Sequence, residues 1–206
     1  MAGRYAAALS AAGSLITMSV SAISPGWQIR IELLQVTPTI WRRLLIPSTI
    51  RLPKLHRVFQ AALGWTDSHL HEFVIAGKRY STPDPDWADE LKQRNERLVV
   101  LEKALGHEAR CFDYIYDFGD DWHHVVVIED PYATLNPAGS VQCVGGQNAC
   151  PPEDVGGWHG YHEFLEVLAD PDHEEHEHYM SWSGGNFDPK RFDLGAVNSA
   201  LAKLKL

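Results

Sequence analysis

The chain has 206 residues, of which 45% are hydrophobic and 22% are charged. This length and composition fit one globular domain with a short appendage and exclude tandem-repeat, collagen-like and disordered proteins. The formal net charge of -9 opposes attraction to phosphate backbones and anionic membranes, so we expect neither strong non-specific binding to duplex DNA nor a membrane partner. Three cysteines leave one thiol unpaired in any disulfide scheme and indicate a reduced, cytoplasmic protein.

Residues 1–25 differ in composition from the rest of the chain. Arg4 is followed by Ala, Ser, Gly and a few aliphatic residues, as in a signal peptide, but polar residues interrupt the apolar run. The segment is too short and too polar to span a bilayer. We therefore expect a disordered or weakly helical extension over residues 1–25 and one domain over residues 26–206, with export and cleavage near Ala22 as the alternative.

The beginning of the domain predicts a hairpin followed by a helix. Apolar residues alternate from Trp27 onwards and predict a strand, and a second β-rich run covers residues 40–46. Pro53 can open a helix with one apolar face, and Gly64 is placed to end it. Residues 73–75 predict another short strand.

A second hairpin is predicted over residues 112–129, where two β-rich runs flank a Gly-Asp-Asp turn. A loop of two or four residues would place Asp117 and His124 on one face of the sheet. With either length, odd-numbered residues of the first strand pair with even-numbered residues of the second. A three-residue loop would place His123 there instead.

The rest of the chain predicts irregular structure and two more helices. Residues 130–157 are rich in Pro and Gly and predict a long irregular connection. One helix contains Tyr161 and ends at Asp170, and the last is capped by Asp193. This order of elements, without a repeating βαβ unit, predicts a single α+β domain with a mainly antiparallel sheet and several packed helices.

Charge is distributed unevenly along the chain. Residues 27–60 contain six Lys or Arg, whereas residues 111–189 contain sixteen Asp or Glu and neither Lys nor Arg. The two halves can neutralise each other, or the acidic half can bind a cation and the basic half an anion. Arg42 and Arg43 point to opposite faces of their strand, so one turns inward and is expected to need an acidic partner. The candidate partners are Asp117, Asp120, Glu153 and Asp154.

Motifs with defined chemistry are largely absent. His69 and His71 would share a face of a strand and, with Asp117 or His124, could form a set of two histidines and one carboxylate. The chain contains no HExxH, no paired CxxC, no GxSxG elbow and no phosphate-binding loop. We therefore predict no metal site, consider zinc disfavoured, and identify no cofactor.

Five motifs occur in order: IWRRLLIP at 40–47, LHRVFQAALGW at 55–65 with HLHEF at 69–73, YDFGDDWHH at 116–124, CPPEDVGGWHGY at 150–161, and NFDPKRFD at 186–193. Together they resemble the plasmid pRiA4b ORF-3-like family, from about Trp27 to the end of the chain. The resemblance implies a single α+β domain. Members of the family are sometimes labelled as resolvases associated with transposons. Neither a recombinase nucleophile motif nor a helix-turn-helix is visible, so recombinase activity is not expected.

The resemblance implies a shared polar and aromatic surface rather than a known set of catalytic residues. The matched positions are Trp41, Arg42, Arg43, His56, Gly64, Trp65, His69, Tyr116, Asp117, Gly119, Asp120, Trp122, His124, Pro152, Glu153, Asp154, Gly156 and Tyr161. Such residues are costly to keep on a surface unless they bind something or pair internally.

Three hypotheses follow from these positions. The first is a binding or interaction module in a mobile-element or regulatory context, with an aromatic and cationic surface for a protein or nucleic-acid partner. That surface would comprise Trp41, Arg42, Arg43, His56, Trp65 and Trp122. The second is a hydrolase in which Asp117 orients His124 as a general base and Arg42 or Arg43 holds an anionic group. The third is that the polar cluster only stabilises the fold.

Overall fold

The fold is an eight-stranded sheet with five helices, as seen in a computed structural model that describes residues 23–82, 93–106 and 109–205. The strand order is β5-β4-β3-β6-β7-β1-β2-β8. Neighbouring strands are antiparallel except β4 and β5, which are parallel. The predicted single α+β domain with a mainly antiparallel sheet is confirmed. Residues 1–22, which form most of the predicted extension, lie outside the described residues.

The elements have the following bounds. The strands are β1 (Ser24–Leu33), β2 (Ile40–Ile46), β3 (His71–Ile75), β4 (Lys78–Ser81), β5 (Arg94–Asn95), β6 (Cys111–Tyr116), β7 (Trp122–Leu135) and β8 (Gln142–Gln147). The helices are α1 (Leu52–Leu63), α2 (Leu101–Leu105), α3 (Gly157–Ala169), α4 (His176–Trp182) and α5 (Leu194–Leu201). None of these helices is long and apolar enough to cross a membrane.

The first hairpin and helix form as their sequence patterns predict. In β1 and β2 the apolar residues alternate into the core, with Leu33 opposite Ile40. Helix α1 carries a proline in its first turn and ends at Gly64, whose φ of 90° is a left-handed conformation that favours glycine. The buried Phe59 of α1 packs edge-on against Tyr114 of β6, with 5.1 Å between ring centroids. This contact fixes α1 over the middle of the sheet.

The prediction of irregular structure over residues 130–157 is wrong for much of that range. β7 continues to Leu135, because its second half pairs with the start of β1, where Ser24 lies opposite Leu135. β8 pairs with β2 at the edge of the sheet, and a side chain at Gly146 would come within 2.5 Å of the Phe192 ring. Glycine there marks a close contact between the sheet and the C-terminal segment rather than a loop.

The second hairpin has a different register from the predicted one. Tyr116 pairs with Trp122 and Tyr114 pairs with His124, so the loop contains five residues. His124 therefore shares the buried face with Tyr114, while His123 lies on the opposite face. The expectation that Asp117 and His124 share one face is wrong, because a shift of one residue in pairing moves a side chain to the other face.

The two predicted C-terminal helices are confirmed, and a further helix lies between them. α3 buries Tyr161 and ends before Asp170. α5 begins after Asp193, whose side chain accepts a hydrogen bond from the amide of Ala196 at 2.9 Å. The intervening α4 contains no buried residue.

Candidate functional site

The predicted aromatic and cationic surface is not formed, because most of its members point into the core. Four of its six members are less than a tenth exposed, namely Arg42, His56, Trp65 and Trp122. Trp41 remains on the outer face of the sheet, with the guanidinium groups of Arg30 and Arg43 at 4.7 and 5.1 Å from its ring centroid. The other outward position, Arg43, forms a bidentate ion pair with Glu129 at 2.5 and 2.9 Å.

The Arg43–Glu129 pair is the one Lys or Arg ion pair within the described residues that joins the basic and acidic parts of the sequence. Its hydrogen bonds raise the pKa of the Arg43 guanidinium and lower the pKa of the Glu129 carboxyl. Mutual neutralisation of the two halves therefore accounts for little of the acidic charge.

Arg42 is the inward arginine, but its partners are not acidic. Its Nε donates to the carbonyl of Ala62 at 3.0 Å, and its Nη1 donates to the carbonyls of Trp41 and Gln147 at 2.8 and 3.0 Å. Nη2 contacts the Cys150 thiol at 3.5 Å. The expectation of a carboxylate partner is wrong, because the planar guanidinium spreads its charge over several carbonyl dipoles instead.

The general base expected in a hydrolase is also not assembled. His124 is fully buried, and its Nδ1 donates to the carbonyl of Tyr114 at 3.1 Å. Burial lowers the pKa of His124 to about 3, so the ring is neutral and is held inside the core. Asp117 instead accepts hydrogen bonds from the amides of Gly119 and Asp120 at 2.9 and 3.3 Å. The proposed pairing of Asp117 with His124 is therefore wrong.

A cleft of about 360 Å³ beside α1 brings together three histidines, two carboxylates and one arginine. It is lined by Pro53, His56, Arg57, Asp67, His69, Leu70, His71, Ser81, Thr82 and Glu96. We call it the histidine cleft. Three different parts of the fold contribute to it: helix α1, the segment leading into β3, and the short strands at the β5 edge of the sheet.

A directed chain of hydrogen bonds fixes His56 at the base of this cleft. The side-chain oxygen of Gln60 accepts from the amide of Asp67 at 2.9 Å, so its nitrogen donates to the Tyr114 hydroxyl at 3.0 Å. The hydroxyl proton of Tyr114 then points to Nδ1 of His56 at 2.8 Å, which leaves Nε2 to donate to Asp67 Oδ1 at 2.6 Å. Burial and the neighbouring His71 lower the pKa of His56 to about 4, in agreement with this neutral tautomer.

His71 provides a second pairing of histidine with a carboxylate. Its Nε2 lies 3.2 and 3.1 Å from the two carboxylate oxygens of Glu96, which is 2% exposed. The His71 ring stacks on that of His56, with the centroids 3.5 Å apart and the planes only 5° from parallel. Two histidines, each held by its own carboxylate, thus share one face of the cleft.

A neighbouring network joins the matched aromatic and acidic positions. Trp65 stacks on Tyr116, with centroids 5.0 Å apart, and the Tyr116 hydroxyl donates to Glu153 at 2.8 Å. Burial favours the neutral form of Glu153, but hydrogen bonds from Thr66, Tyr116 and Ser68 hold the pKa of this carboxyl below its ordinary value. Burial and the bond to Glu153 raise the pKa of Tyr116. These residues anchor the turn before α3 to the rest of the domain.

Asp154 in the same turn lies close to two further potential metal ligands, His69 and Asp117. Nε2 of His69 lies 3.1 Å from Asp154 Oδ1 and 3.6 Å from Asp117 Oδ2. Asp120, the next matched carboxylate, accepts from the amide of Gly156 at 3.2 Å and ties the turn to the hairpin loop. The set of His69 and His71 with one carboxylate, considered from the sequence, is not formed, because His69 precedes β3 and lies near Asp117 while His71 faces Glu96.

The remaining matched positions serve the core. Tyr161 is fully buried on α3 near Phe164, and Trp122 stacks on Trp65 with centroids 6.1 Å apart.

Sequence reasoning missed four members of the cleft network, namely Gln60, Asp67, Glu96 and Tyr114. Gln60 and Tyr114 are polar residues at core-facing positions of a helix and a strand, and this was the available signal. Asp67 and Glu96 lie outside any periodic pattern.

Known proteins share this architecture. The family described as plasmid pRiA4b ORF-3-like protein matches residues 25–196. The uncharacterized protein y4hQ of Sinorhizobium fredii is 39% identical over 179 residues, which cover 86% of this chain and 91% of that protein. The crystal structure of MM3350 from Methanosarcina mazei Go1, a protein of unknown function, is similar with a TM-score of 0.72 and 34% identity, over 82% of this chain and 96% of that one.

The family match, the relative and the solved structure agree with the five motifs, all of which lie within the matched range. This chain therefore belongs to the plasmid pRiA4b ORF-3-like protein family.

Proposed function

We propose that the protein is a binding module that holds a small polar ligand in the histidine cleft. The observation that carries this proposal is the stacked arrangement of His56 and His71, each paired with a carboxylate on the cleft wall. A cavity of about 360 Å³ falls in the size range of small-molecule sites, which combine apolar walls with a few fixed polar groups.

The polar groups of the cleft are held in place before any ligand arrives. Gln60 and Tyr114 determine which nitrogen of His56 carries the proton, and Asp67 closes that network. Fixed groups bind more tightly, because less conformational entropy is lost on association. A purely structural role explains this arrangement less well, since apolar residues of similar volume would stabilise a core at least as effectively.

The lining indicates the chemistry of the ligand. Arg57 is exposed at the cleft and offers a guanidinium to an anionic group. Asp67, whose side chain is about half exposed, offers a carboxylate oxygen to hydrogen-bond donors, while the buried Glu96 holds His71. We therefore propose a ligand that carries an acidic group together with N–H or O–H donors.

Other clefts on the described surface lack this combination. One of about 530 Å³ is lined by residues such as Gln142, Asn198 and Leu201, and another of about 450 Å³ by residues such as Ile50 and Lys54. Both are larger than the histidine cleft, but neither joins a histidine to a carboxylate. Size alone does not identify a site, whereas converging polar groups do.

A hydrolase is not proposed. The hydroxyl of Ser81, which lines the cleft, donates to the carbonyl of His71 at 2.8 Å and is not positioned as a nucleophile. We also propose that the protein acts in a mobile-element or regulatory context, because it belongs to this family. A cytoplasmic location is also proposed, and the three free thiols support it.

The proposal is tested by thermal-shift screening of a panel of amino acids, dicarboxylates, nucleobases and sugar phosphates. At least one compound with an acidic group should raise the unfolding midpoint, and Arg57→Gln should remove that increase. Lys54→Gln provides the matched control, because Lys54 is on the same helix but lines a different cleft. A panel without any stabilising compound, or equal responses from both variants, would contradict the proposal.

A further inference from the structure

The geometry points to a divalent transition-metal site formed by His69, Asp117 and Asp154, which we name the cation cluster. One imidazole nitrogen and two carboxylate oxygens lie within 4.8 Å of one another. The inference goes beyond the ligand cleft, because it does not depend on the stacked pair of His56 and His71 and its probe is the metal ion alone. It also departs from the sequence-based prediction of no metal site.

The distances within the cation cluster suit a shared cation. Zinc binds imidazole nitrogen and carboxylate oxygen at about 2.0–2.2 Å, so two adjacent ligands of one ion lie about 3.0–3.5 Å apart. Nε2 of His69 is 3.1 Å from Asp154 Oδ1 and 3.6 Å from Asp117 Oδ2. The Asp154 side chain is 71% exposed, so it can rotate the short distance needed to complete the geometry.

The Nε2 nitrogen of the His69 ring is a second observation that points to a cation. Nε2 is withdrawn from solvent and forms no hydrogen bond with any described residue, although two carboxylates stand close to it. Neither carboxylate is aligned for a hydrogen bond, whereas a cation between the three groups would accept the nitrogen lone pair and neutralise both carboxylates. A polar atom withdrawn from solvent normally has a protein group, an ordered water or an ion as its partner.

Asp117 is held in an orientation that suits a metal ligand. It is 8% exposed, and its Oδ1 accepts hydrogen bonds from the amides of Gly119 and Asp120. These bonds leave Oδ2 directed towards His69. Metal-binding carboxylates are commonly fixed by hydrogen bonds to the oxygen that does not face the ion.

The ligand set favours particular metals. Imidazole suits zinc and iron, and carboxylates also suit manganese, so the mixture favours Zn²⁺ or Mn²⁺ over Mg²⁺ and Ca²⁺. Three protein ligands leave coordination positions open to water or to an anionic ligand. His69 also lines the histidine cleft, so the ion would lie at the edge of that cleft.

The test is isothermal titration of the untagged, EDTA-stripped full chain with ZnCl₂ and, separately, MnCl₂. The wild type should bind one equivalent of at least one of these ions. His69→Gln, Asp117→Asn and Asp154→Asn should each weaken binding by about tenfold or more. Asp121→Asn and His178→Gln serve as matched controls, since Asp121 lies in the same hairpin loop and His178 is exposed on α4.

Asp154→Asn keeps the test decisive even if Asp117→Asn fails to fold, because Asp154 is largely exposed. Circular dichroism in EDTA verifies folding of each variant. Binding that is lost in all three cluster variants and kept in both controls supports the site. Absence of stoichiometric binding, or equal binding by Asp154→Asn and the wild type, overturns it. The thermal-shift test of the cleft has a separate readout, because it depends on Arg57, which lies outside the cation cluster.

Discussion

Replacing Arg42 with methionine is expected to lower the free energy of unfolding by about 2–4 kcal/mol, while Arg43→Met lowers it by less than about 1 kcal/mol. Arg42 is 3% exposed and donates to three backbone carbonyls, those of Trp41, Ala62 and Gln147. Losing the donor costs roughly 1 kcal/mol for each buried carbonyl, and removal of a buried charge offsets part of that loss. Arg43 sits at the surface, where ion pairs contribute little.

Guanidinium chloride denaturation followed by circular dichroism measures both losses. Arg42→Lys is a useful third variant, since one ammonium group cannot reach carbonyls that lie in divergent directions, and it should also destabilise the protein. Equal and small effects of Arg42→Met and Arg43→Met would contradict this prediction. Such a result would mean that the carbonyls around Arg42 find other partners, and that this arginine does not join α1 to β8.

The free energy of unfolding should fall as the pH drops from about 6.5 towards 4, because the folded-state pKa values of His56 and His124 are lowered to about 4 and 3 and the unfolded chain takes up more protons in that window. Replacing His124 with Asn should flatten this dependence in urea titrations at several pH values. Gly146→Ala should destabilise the protein by about 1–3 kcal/mol through contact with Phe192, whereas Gly145→Ala, whose added carbon meets its nearest neighbour at 3.6 Å, should cost less than about 1 kcal/mol by thermal melting. Binding to a random DNA duplex at physiological salt should be weaker than micromolar by fluorescence anisotropy, since the net charge is -9, and tighter binding would contradict this.

Elements that bury one periodic face could be predicted from the sequence. In β1, β2 and α1 the core residues repeat at strand or helix spacing, and Pro53 and Gly64 mark the ends of the helix. The second half of β7 could not be predicted in this way. It forms by pairing with Ser24 and its neighbours, more than 100 residues away along the chain, and this contact outweighs the weak strand propensity of a segment that contains Pro131.

Individual residues of the site could be predicted from the sequence, but the contacts between them could not. The matched motifs identified His56, His69 and Asp117 as important positions, but their partners depend on the long-range fold. The register of the second hairpin depends on left-handed backbone at Asp117 and Asp121, which a sequence permits but does not require. Glu96 reaches His71 from a separate segment, so no local spacing could have indicated that pair.

The proposed function requires the histidine cleft to be a preformed ligand site. It is tested most directly by NMR of the imidazole nitrogens in ¹⁵N-histidine-labelled protein, recorded while the stabilising compound is added. We expect saturable shifts of the His71 and His69 signals, with the His178 signal on exposed α4 unchanged. Shifts confined to exposed histidines, or no shift at a ligand concentration that raises the unfolding midpoint, would contradict it.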